Sequence, residues 1–437
     1  MATAALYRHR WTLIRAPIAA ATVLAAWAAW AWLFPMPDSR LVISAGQRDG
    51  AYHQIASRYV DAFARHGVEL VVLESEGSAQ NLLRLRGQTP AADLALVQGG
   101  FGWSSPTLER GEMADVQTLA NVDIEGVWVF SKQRDLHSLV QLRGLRVAAG
   151  PAGSGHRVLA QRLLHQLRVR SEEIRWDALS GTRAGDALVR GDVDAVFMVA
   201  SADSPAVRRL LALPGIYLSA LQRTAALSER NNFLEPRLLA QDMLGAGTPS
   251  RDVALLTTHT HLIARQDLHP ALKRLATLMA LQVHAGPGPF HRAGDFPTLR
   301  HGDFPSAAEA RDALASGPGW LEQHLSFSWS QALQRLLVIG VPLGILAWWL
   351  ARLLPAWLRW RLESRLTRWY GELKFIENDL SGDTISGLAL RRFNERLARM
   401  DTALASLKLP AELAQRWYTL HQHIEFVRQR VSGMRGR

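Results

Sequence analysis

The most constraining feature of the chain is a strand, a glycine-rich bend and a helix that follow one another over residues 145–168. Residues 145–149 (LRVAA) have the composition of a buried strand, and residues 157–168 have the apolar spacing of an amphipathic helix. Between them, residues 150–156 (GPAGSGH) supply the glycines of a sharp bend. A helix that starts after such a bend presents free N–H groups and the positive end of its dipole at one point. The segment therefore predicts an anion-binding junction within an α/β fold.

Length and charge narrow the class of protein further. A chain of 437 residues exceeds what one hydrophobic core usually supports, which predicts more than one compact unit. Most of the formal net charge of +11 lies in residues 1–37 and 355–437, and the residues between are nearly neutral. A nucleic-acid-binding domain would carry its basic patch on the folded domain itself, so this distribution argues against that function. The absence of cysteine excludes disulfides and thiol catalysis.

Two apolar segments have the length of membrane spans, residues 16–34 and residues 336–354. Arginines precede the first segment and follow the second, so the positive-inside rule places both termini in the cytoplasm. The expected location is the inner (cytoplasmic) membrane, crossed twice, with the central domain in the periplasm. A cleaved signal peptide is the alternative for the first segment, and a buried core helix for the second.

Between the apolar segments, short strand patterns alternate with helical ones. Strands are predicted at residues 41–44, 69–73, 94–97, 126–130, 145–149, 193–198 and 252–263, and helices at 51–66, 78–86, 157–168 and 183–189. This alternation predicts parallel-type sheets covered by helices. Breaks in the pattern near 131–138 and 245–252 predict two lobes with a cleft between them.

The expected domain organisation follows from these patterns. It consists of an N-terminal anchor (1–37), a binding domain (38–330) with lobe one at 38–131 and 252–325 and lobe two at 132–251, a transmembrane helix (333–355) and a cytoplasmic helical tail (356–437). In the tail, apolar spacing predicts helices over 357–376 and 385–407 and a third from Pro410 to about Val431. Short turns between them predict a helical hairpin.

Two more junctions resemble the opening one, at residues 44–52 and 74–81. Together the segments resemble the TAXI family of solute-binding proteins that work with TRAP transporters. The matching segments are 43–46 (ISAG) with 50–52 (GAY), 76–81 (EGSAQN), 93–98 (DLALVQ), 142–147 (LRGLRV), 150–155 (GPAGSG) and 191–195 (GDVDA), spread over about residues 40–290.

The resemblance implies a two-lobed periplasmic-binding-protein fold of type II that captures small organic acids and delivers them to a TRAP permease. It also implies that Tyr52, Ser78, Asn81, Gln98 and the loop Gly153, Ser154 and Gly155 face the ligand, and the expected site further includes Gly46, Gly77 and His156. The chain departs from the family at three points: His156 replaces a usual threonine, His53 replaces a usual aromatic residue, and residues 47–49 (QRD) replace small residues. No cofactor is implied.

Other kinds of site fit the sequence less well. A P-loop requires lysine after the last glycine, whereas His156 and Arg157 follow Gly155. The spacing of Gly150, Gly153 and Gly155 does not match G-x-G-x-x-G, and no G-x-S-x-G elbow indicates a hydrolase, so no catalytic residue is assigned. Several histidines and aspartates could supply metal ligands, but they follow no fixed ligand pattern, so no metal site is assigned. These residues are His259, His261, His284, His291, Asp295, His301 and Asp303.

The sequence therefore predicts a membrane-tethered receptor that binds a small organic anion, an amino acid, a dicarboxylate or a keto acid, for TRAP-type transport. The alternative is a sensor that reports ligand binding through the second span and the helical tail to a partner protein. The expected partners are the ligand, the membrane and a permease subunit or another membrane protein, and nucleic acid is not expected.

Overall fold

The computed structural model of the chain describes residues 20–28, 30–32, 35–48, 50–101, 115–381, 386–406 and 413–435. These residues form two compact units, Met36–Arg335 and a second unit that comprises Leu336–Arg437 together with the residues up to Pro35. We call the first unit the receptor domain. The domain and lobe bounds expected from the sequence stay predictions.

The receptor domain contains ten strands and ten helices among its described residues. The strands are β1 (Arg40–Ser44), β2 (Glu69–Leu73), β3 (Leu94–Gln98), β4 (Val116–Ser131), β5 (Arg146–Ala148), β6 (Arg175–Asp177), β7 (Ala195–Ser201), β8 (Tyr217–Leu218), β9 (Glu235–Leu239) and β10 (Val253–Arg265). The helices are α1 (Ala51–Arg65), α2 (Ser78–Leu85), α3 (Gly155–Gln166), α4 (Gly181–Arg190), α5 (Pro205–Ala212), α6 (Thr224–Glu229), α7 (Pro270–His284), α8 (Ala308–Ser316), α9 (Trp320–His324) and α10 (Phe327–Arg335). Two short 3-10 turns, Leu139–Leu142 and Ser171–Glu173, complete the domain.

All ten strands belong to one mixed sheet with the order β2-β1-β3-β10-β4-β7-β5-β6, to which β8 and β9 add at β4 and β10. Pairing is parallel among β2, β1 and β3 and among β7, β5 and β6. It is antiparallel where β10 meets β3 and β4, and where β4 meets β7. The prediction of parallel-type sheets is therefore correct for the two ends and wrong for the centre, because the central strands connect the two ends directly instead of through crossover helices.

Two long strands, β4 and β10, lie side by side in the middle of the sheet and extend into both of its halves. Strand β4 pairs with β10 up to Gly126 and with β7 from Glu125 onward. Strand β10 pairs with β9 up to Thr257 and with β3 from Thr260 onward. We call the part with β1–β3 and α1–α2 the β1 side, and the part with β5–β7 and α3–α5 the β5 side. The crossing between the sides lies inside paired strands.

Each side has its own hydrophobic core. On the β1 side, α1 buries Ile55, Tyr59 and Phe63, residues spaced by four along one face of the helix. They pack with the fully buried Leu41 and Ile43 of β1. Removing such side chains from water contributes about 25 cal/mol per Å² of apolar area. On the β5 side, helices α3 to α5 cover β5 and β7 in the same way. These cores fix the starts of the helices relative to the sheet.

The second unit is helical in its described residues. After a short π-helical segment, Leu336–Gly340, come α11 (Val341–Asp379), α12 (Gly387–Ala405) and α13 (Ala414–Arg435). The end of α11 and both following helices share a core that includes Ile376, Leu397 and Leu420, each 0 % exposed. The unit thus has a folded core of its own, formed by three helices.

One helical segment among the described residues, Phe327–Leu350, is long and apolar enough to cross a membrane. The apolar helix Ala20–Trp32 falls within the first expected span. The rest of the first expected span, residues 16–34, lies outside the described residues. Two membrane spans are thus not confirmed, and the double crossing stays a prediction.

Candidate ligand-binding site

Five helices begin around a single cavity between the β1 side and the β5 side. Residues at or beside the first turn of α1, α2, α3, α4 and α5 line this cavity, whose volume is about 70 Å³. The lining residues at these helix starts are Gly50, Ala51, Tyr52, Gly77, Ser78, Ser154, Gly155, His156, Ser180, Gly181, Ser204 and Ala206. Because helix N-termini carry partial positive charge, their convergence gives the cavity wall a positive potential without any cationic side chain.

Unpaired backbone donors reinforce this potential. First-turn amides have no acceptor within their own helix. At the start of α3, the Ser154 hydroxyl accepts from the Arg157 amide at 3.2 Å. For the amides of Gly155 and His156, no acceptor occurs in the part of the chain that the structure describes. Both residues line the cavity. The start of α3 therefore offers two N–H donors to a bound anion.

The two sides touch each other at the edge of the cavity. The Ala79 amide of α2 donates to the Gly153 carbonyl at 3.3 Å. On the opposite rim, the Ser180 hydroxyl donates to Gln47 Oε1 at 2.5 Å, and Arg183 donates to the same oxygen at 3.1 Å. These contacts bridge segments that belong to different ends of the sheet. The small volume of the cavity follows from this closed arrangement.

Gly77 lies where the start of α2 on the β1 side approaches Ser154 on the β5 side. Its φ of 131° and ψ of −158° are accessible to glycine but strained for other residues. A Cβ at this position would lie 3.1 Å from the Cα of Ser154. The closed cavity therefore depends on glycine at residue 77.

A buried carboxyl group forms the base of the cavity. Glu125 is 2 % exposed and lines the cavity at the point where β4 changes partner from β10 to β7. The Tyr52 hydroxyl donates to its Oε2 at 3.0 Å. Burial and the nearby Asp123 raise the pKa of Glu125 to about 8, since both disfavour the charged form. Burial, and then the charge of Glu125, raise the pKa of Tyr52 well above its usual value.

Ser78 and Gln98 connect the start of α2 to the end of β3. The backbone amide of Gln98 donates to the Ser78 hydroxyl oxygen at 3.1 Å. The Ser78 side chain also lies within hydrogen-bonding reach of the Tyr52 hydroxyl. The Gln98 side chain lies against Gly155, where an added Cβ would be 2.5 Å from Oε1. Both side chains line the cavity.

His156 is held in its neutral form. Its Nδ1 accepts a hydrogen bond from the Val199 amide of β7 at 2.7 Å, so the ring proton lies on Nε2. Burial lowers the pKa of His156 to about 4, because the charged form loses its hydration. The residue therefore offers a neutral N–H donor at neutral pH and ties the start of α3 to β7.

The cavity brings together eight of the ten residues expected from the sequence to face a ligand. These are Gly46, Tyr52, Gly77, Ser78, Gln98, Ser154, Gly155 and His156. The other two, Asn81 and Gly153, lie outside its lining. Gly153 contributes its carbonyl to the bridge with Ala79. The binding role of all ten residues stays a prediction.

Asn81 lies behind the cavity wall, where it joins three segments of the β1 side. Its Oδ1 accepts from the hydroxyls of Ser44 (2.7 Å) and Ser75 (2.5 Å). Its Nδ2 donates to the Leu96 carbonyl at 2.7 Å. Asn81 is 0 % exposed, so removing its side chain would leave the two hydroxyl protons and the Leu96 carbonyl without this buried partner.

Replacing Asn81 with alanine is expected to destabilise the receptor domain by about 3 kcal/mol, because buried partners left unsatisfied cost about 1–3 kcal/mol each. Thermal unfolding of the full chain in detergent measures the loss. Leu83→Ala, at an exposed position of the same helix, is the control and should leave the unfolding temperature nearly unchanged. An Asn81→Ala protein as stable as the wild type would contradict this structural role.

Residues that the sequence analysis did not identify also line the cavity. Glu125 is the most important, and it is joined by Gln47, Ser180 and Met198. Ser180 precedes Gly181 at the start of a helix, so the serine–glycine pattern of the other junctions could have indicated it. Glu125 lies inside a long strand, and no local pattern marks it.

The scattered histidines do not form a metal site among the described residues, where no group of three or more His, Cys, Asp or Glu side chains could hold a metal ion. The His259 ring stacks on that of His301 with centroids 5.3 Å apart. His261 Nε2 lies 3.8 Å from the Asp303 carboxylate.

The fold and the cavity together define an α/β domain with one mixed ten-stranded sheet and a cavity at the starts of five helices. A family model described as the NMT1-like family matches residues 43–275, more than half of the chain. The chain belongs to the NMT1-like family, which is of the periplasmic solute-binding type.

One similar solved structure is the alkanesulfonate-binding protein SsuA from Xanthomonas axonopodis pv. citri bound to MOPS. The two sequences are 16 % identical, the match covers 57 % of this chain and 74 % of that chain, and the TM-score is 0.37. Another is a periplasmic binding protein of Salmonella typhimurium described for its high arginine specificity, with 14 % identity, coverage of 57 % and 94 %, and a TM-score of 0.35. No curated protein matches the chain significantly in sequence.

Proposed function

We propose that the chain is a membrane-tethered extracytoplasmic receptor that binds a small organic acid in the cavity between the β1 and β5 sides. The convergence of five helix N-termini on that cavity carries this proposal. Partial positive charge and free amides suit a carboxylate, and a closed cavity of about 70 Å³ suits a molecule of few atoms. Membership of a family of the periplasmic solute-binding type supports the same function.

The receptor works in TRAP-type transport, as the resemblance to the TAXI family implies. The apolar helical segment Phe327–Leu350 supports tethering to the inner membrane. Together with the expected N-terminal anchor, it would give a double-pass protein with a periplasmic receptor domain and both termini in the cytoplasm. A tethered receptor cannot diffuse to a distant permease, so it would deliver its ligand to a permease beside it.

A ligand screen on the full chain in detergent tests the receptor function. Amino acids, dicarboxylates and keto acids are added singly while thermal unfolding is followed. A ligand present at 100 times its Kd stabilises the bound state by about 2.7 kcal/mol, which corresponds to a rise in Tm of about 4 °C for a domain of this size. If no compound raised the Tm of the well-folded protein, the proposed function would be wrong.

A sensor that reports ligand binding to a partner protein is the second candidate. The separate core of α11, α12 and α13 favours it, because delivery of a ligand does not require a folded helical unit at the end of the chain. Deleting residues 360–437 separates the two functions. Intact uptake with loss of a transcriptional or partner response would support the sensor, and loss of uptake would support transport. Immunoblotting of the membrane fraction and the ligand-induced Tm shift control for the amount and folding of the truncated protein.

A further inference from the structure

The charged groups of the cavity do not match those of a site for a simple anion. None of its described lining residues is lysine or arginine, and two are acidic, Glu76 and Glu125. Glu76 is exposed at the rim, whereas Glu125 is buried at the base. A second carboxylate at the base could bind beside Glu125 only while the acid kept its proton, whereas an ammonium group pairs with the charged carboxylate and forms the stronger hydrogen bond. The positive helix starts and the buried acid therefore favour a ligand that carries both signs of charge.

The geometry at Glu125 leaves room for a ligand donor. Tyr52 donates to Oε2 of the carboxyl group, and a carboxylate has about four lone-pair positions. Tyr52 and, from β10, Thr260 are the described side chains within hydrogen-bonding reach of the Glu125 carboxyl group, so lone-pair positions remain for a ligand donor. A buried acid beside a cavity is strongly stabilised when a cation binds it, because burial weakens competition from water.

Resting on the proposed receptor function, we propose that the ligand is a small amino acid whose ammonium group binds Glu125 and whose carboxylate binds the amides of Gly155 and His156. Glu125 then determines specificity, because a keto acid, a hydroxy acid or a dicarboxylate offers no cation to it. A buried group left without its partner penalises such analogues, as in other sites built around a ligand N–H or O–H.

Binding of an ammonium group also moves a proton. The titratable groups that face Glu125 are Tyr52 from α1 and Asp123 from β4, and Asp123 itself lies 3.9 Å from His291. Burial and Asp123 raise the pKa of Glu125 to about 8, so the empty site holds the neutral acid at pH 7. An ammonium beside it lowers that pKa. The acid then releases its proton to solvent, and the ligand keeps all of its own protons.

Calorimetry with matched ligands tests the proposal on the full chain in detergent. The ligand sets are alanine with lactate and pyruvate, and aspartate with malate and oxaloacetate, which differ in the group at one carbon. In at least one set, the amino acid is expected to bind at least about 100-fold more tightly than its analogues. Titrations at pH 7 in two buffers of different ionisation enthalpy should show the release of up to one proton per amino acid bound.

Glu125→Gln keeps the size of the side chain and removes its charge. This variant is expected to lose the preference for the amino acid and the proton release. Glu172→Gln, at an exposed position on the β5 side, is the matched control and should keep both. Thermal unfolding shows whether each variant is folded.

The outcomes separate this inference from the function on which it rests. If a keto acid, a hydroxy acid or a dicarboxylate bound as tightly as its amino acid, the ammonium subsite would be wrong and the receptor function would stand. Amino acid binding that was unchanged in Glu125→Gln would overturn the subsite in the same way. If none of the ligands bound the folded wild-type chain, both proposals would fall.

Discussion

Replacing Gly77 with alanine is expected to lower ligand affinity by about 100-fold, equivalent to about 2.7 kcal/mol. Two effects add. The backbone at residue 77 has φ of 131°, and a non-glycine residue held in a sparsely populated region costs about 1–3 kcal/mol. The new Cβ would also lie 3.1 Å from Ser154 Cα and 3.4 Å from its Cβ. Since Cα belongs to the backbone, the β5 side must move away, and the closed cavity opens.

The measurement is calorimetric titration with whichever acid the ligand screen identifies. Gly87→Ala is a matched control, because Gly87 also has a positive φ of 95° but an added Cβ would meet nothing within 4 Å. The control should lose some stability and keep its affinity for the ligand. A folded Gly77→Ala protein that binds as tightly as the wild type would show that the contact with Ser154 does not control closure.

Acidification is expected to destabilise the receptor domain strongly between pH 7 and pH 5. Burial lowers the pKa of four histidines: to about 4 for His156, His259 and His261, and to about 3 for His284. In the unfolded chain their pKa is near 6.5. Below that pH the unfolded state binds protons that the folded state does not. The stability that these residues contribute is therefore present above pH 6.5 and is lost as the pH falls toward 4.

The size of the effect follows from the same linkage. Over this pH interval each histidine accounts for a loss of roughly 2 kcal/mol. Glu125 acts in the opposite direction, because its pKa of about 8 in the folded state lets the native protein bind a proton before the unfolded chain does. This gain is also roughly 2 kcal/mol. Burial raises the pKa of Asp123 as well. The four losses and the gain at Glu125 leave a net loss on the order of 6 kcal/mol, which the raised pKa of Asp123 reduces further.

Urea unfolding at pH 7, 6 and 5, followed by tryptophan fluorescence, measures the pH dependence on the full chain. His284→Phe removes one of the four titrations and keeps a ring against Tyr59, whose centroid is 5.6 Å away. This variant should show a shallower dependence on pH. His324→Gln, at an exposed position, should behave as the wild type. Equal stability of the wild type at pH 7 and pH 5 would contradict the expectation.

Much of the site could be predicted from the sequence because each junction carries a local signal. At α2 and α3, a strand is followed by glycine and by a serine at or just before the first helical residue. These helix starts contribute lining residues such as Ser78 and Gly155. Helix caps and glycine bends depend on neighbouring residues only. Their position along the chain therefore indicates their structure.

The remaining features depend on contacts between distant residues. Glu125 meets Tyr52 only because β4 crosses below the start of α1, and a single acidic residue within an apolar strand has no periodic signature. The antiparallel pairing at the centre of the sheet could not be predicted for a similar reason, since the local sequences of β4 and β10 resemble those of any buried strand. Asn81 has the sequence context of a ligand contact, but its partners Ser44 and Leu96 come from other strands.

The continuous strands β4 and β10 have a mechanical consequence for the receptor. They are hydrogen-bonded to each other from one side of the cavity to the other, and sliding one past the other would break that ladder. Relative motion of the two sides therefore requires the paired strands to bend together, and large displacements are disfavoured. Glu125 lies where β4 passes from β10 to β7. A molecule bound to Glu125 would therefore contact the two strands at the point where they bend, and would restrict that bending.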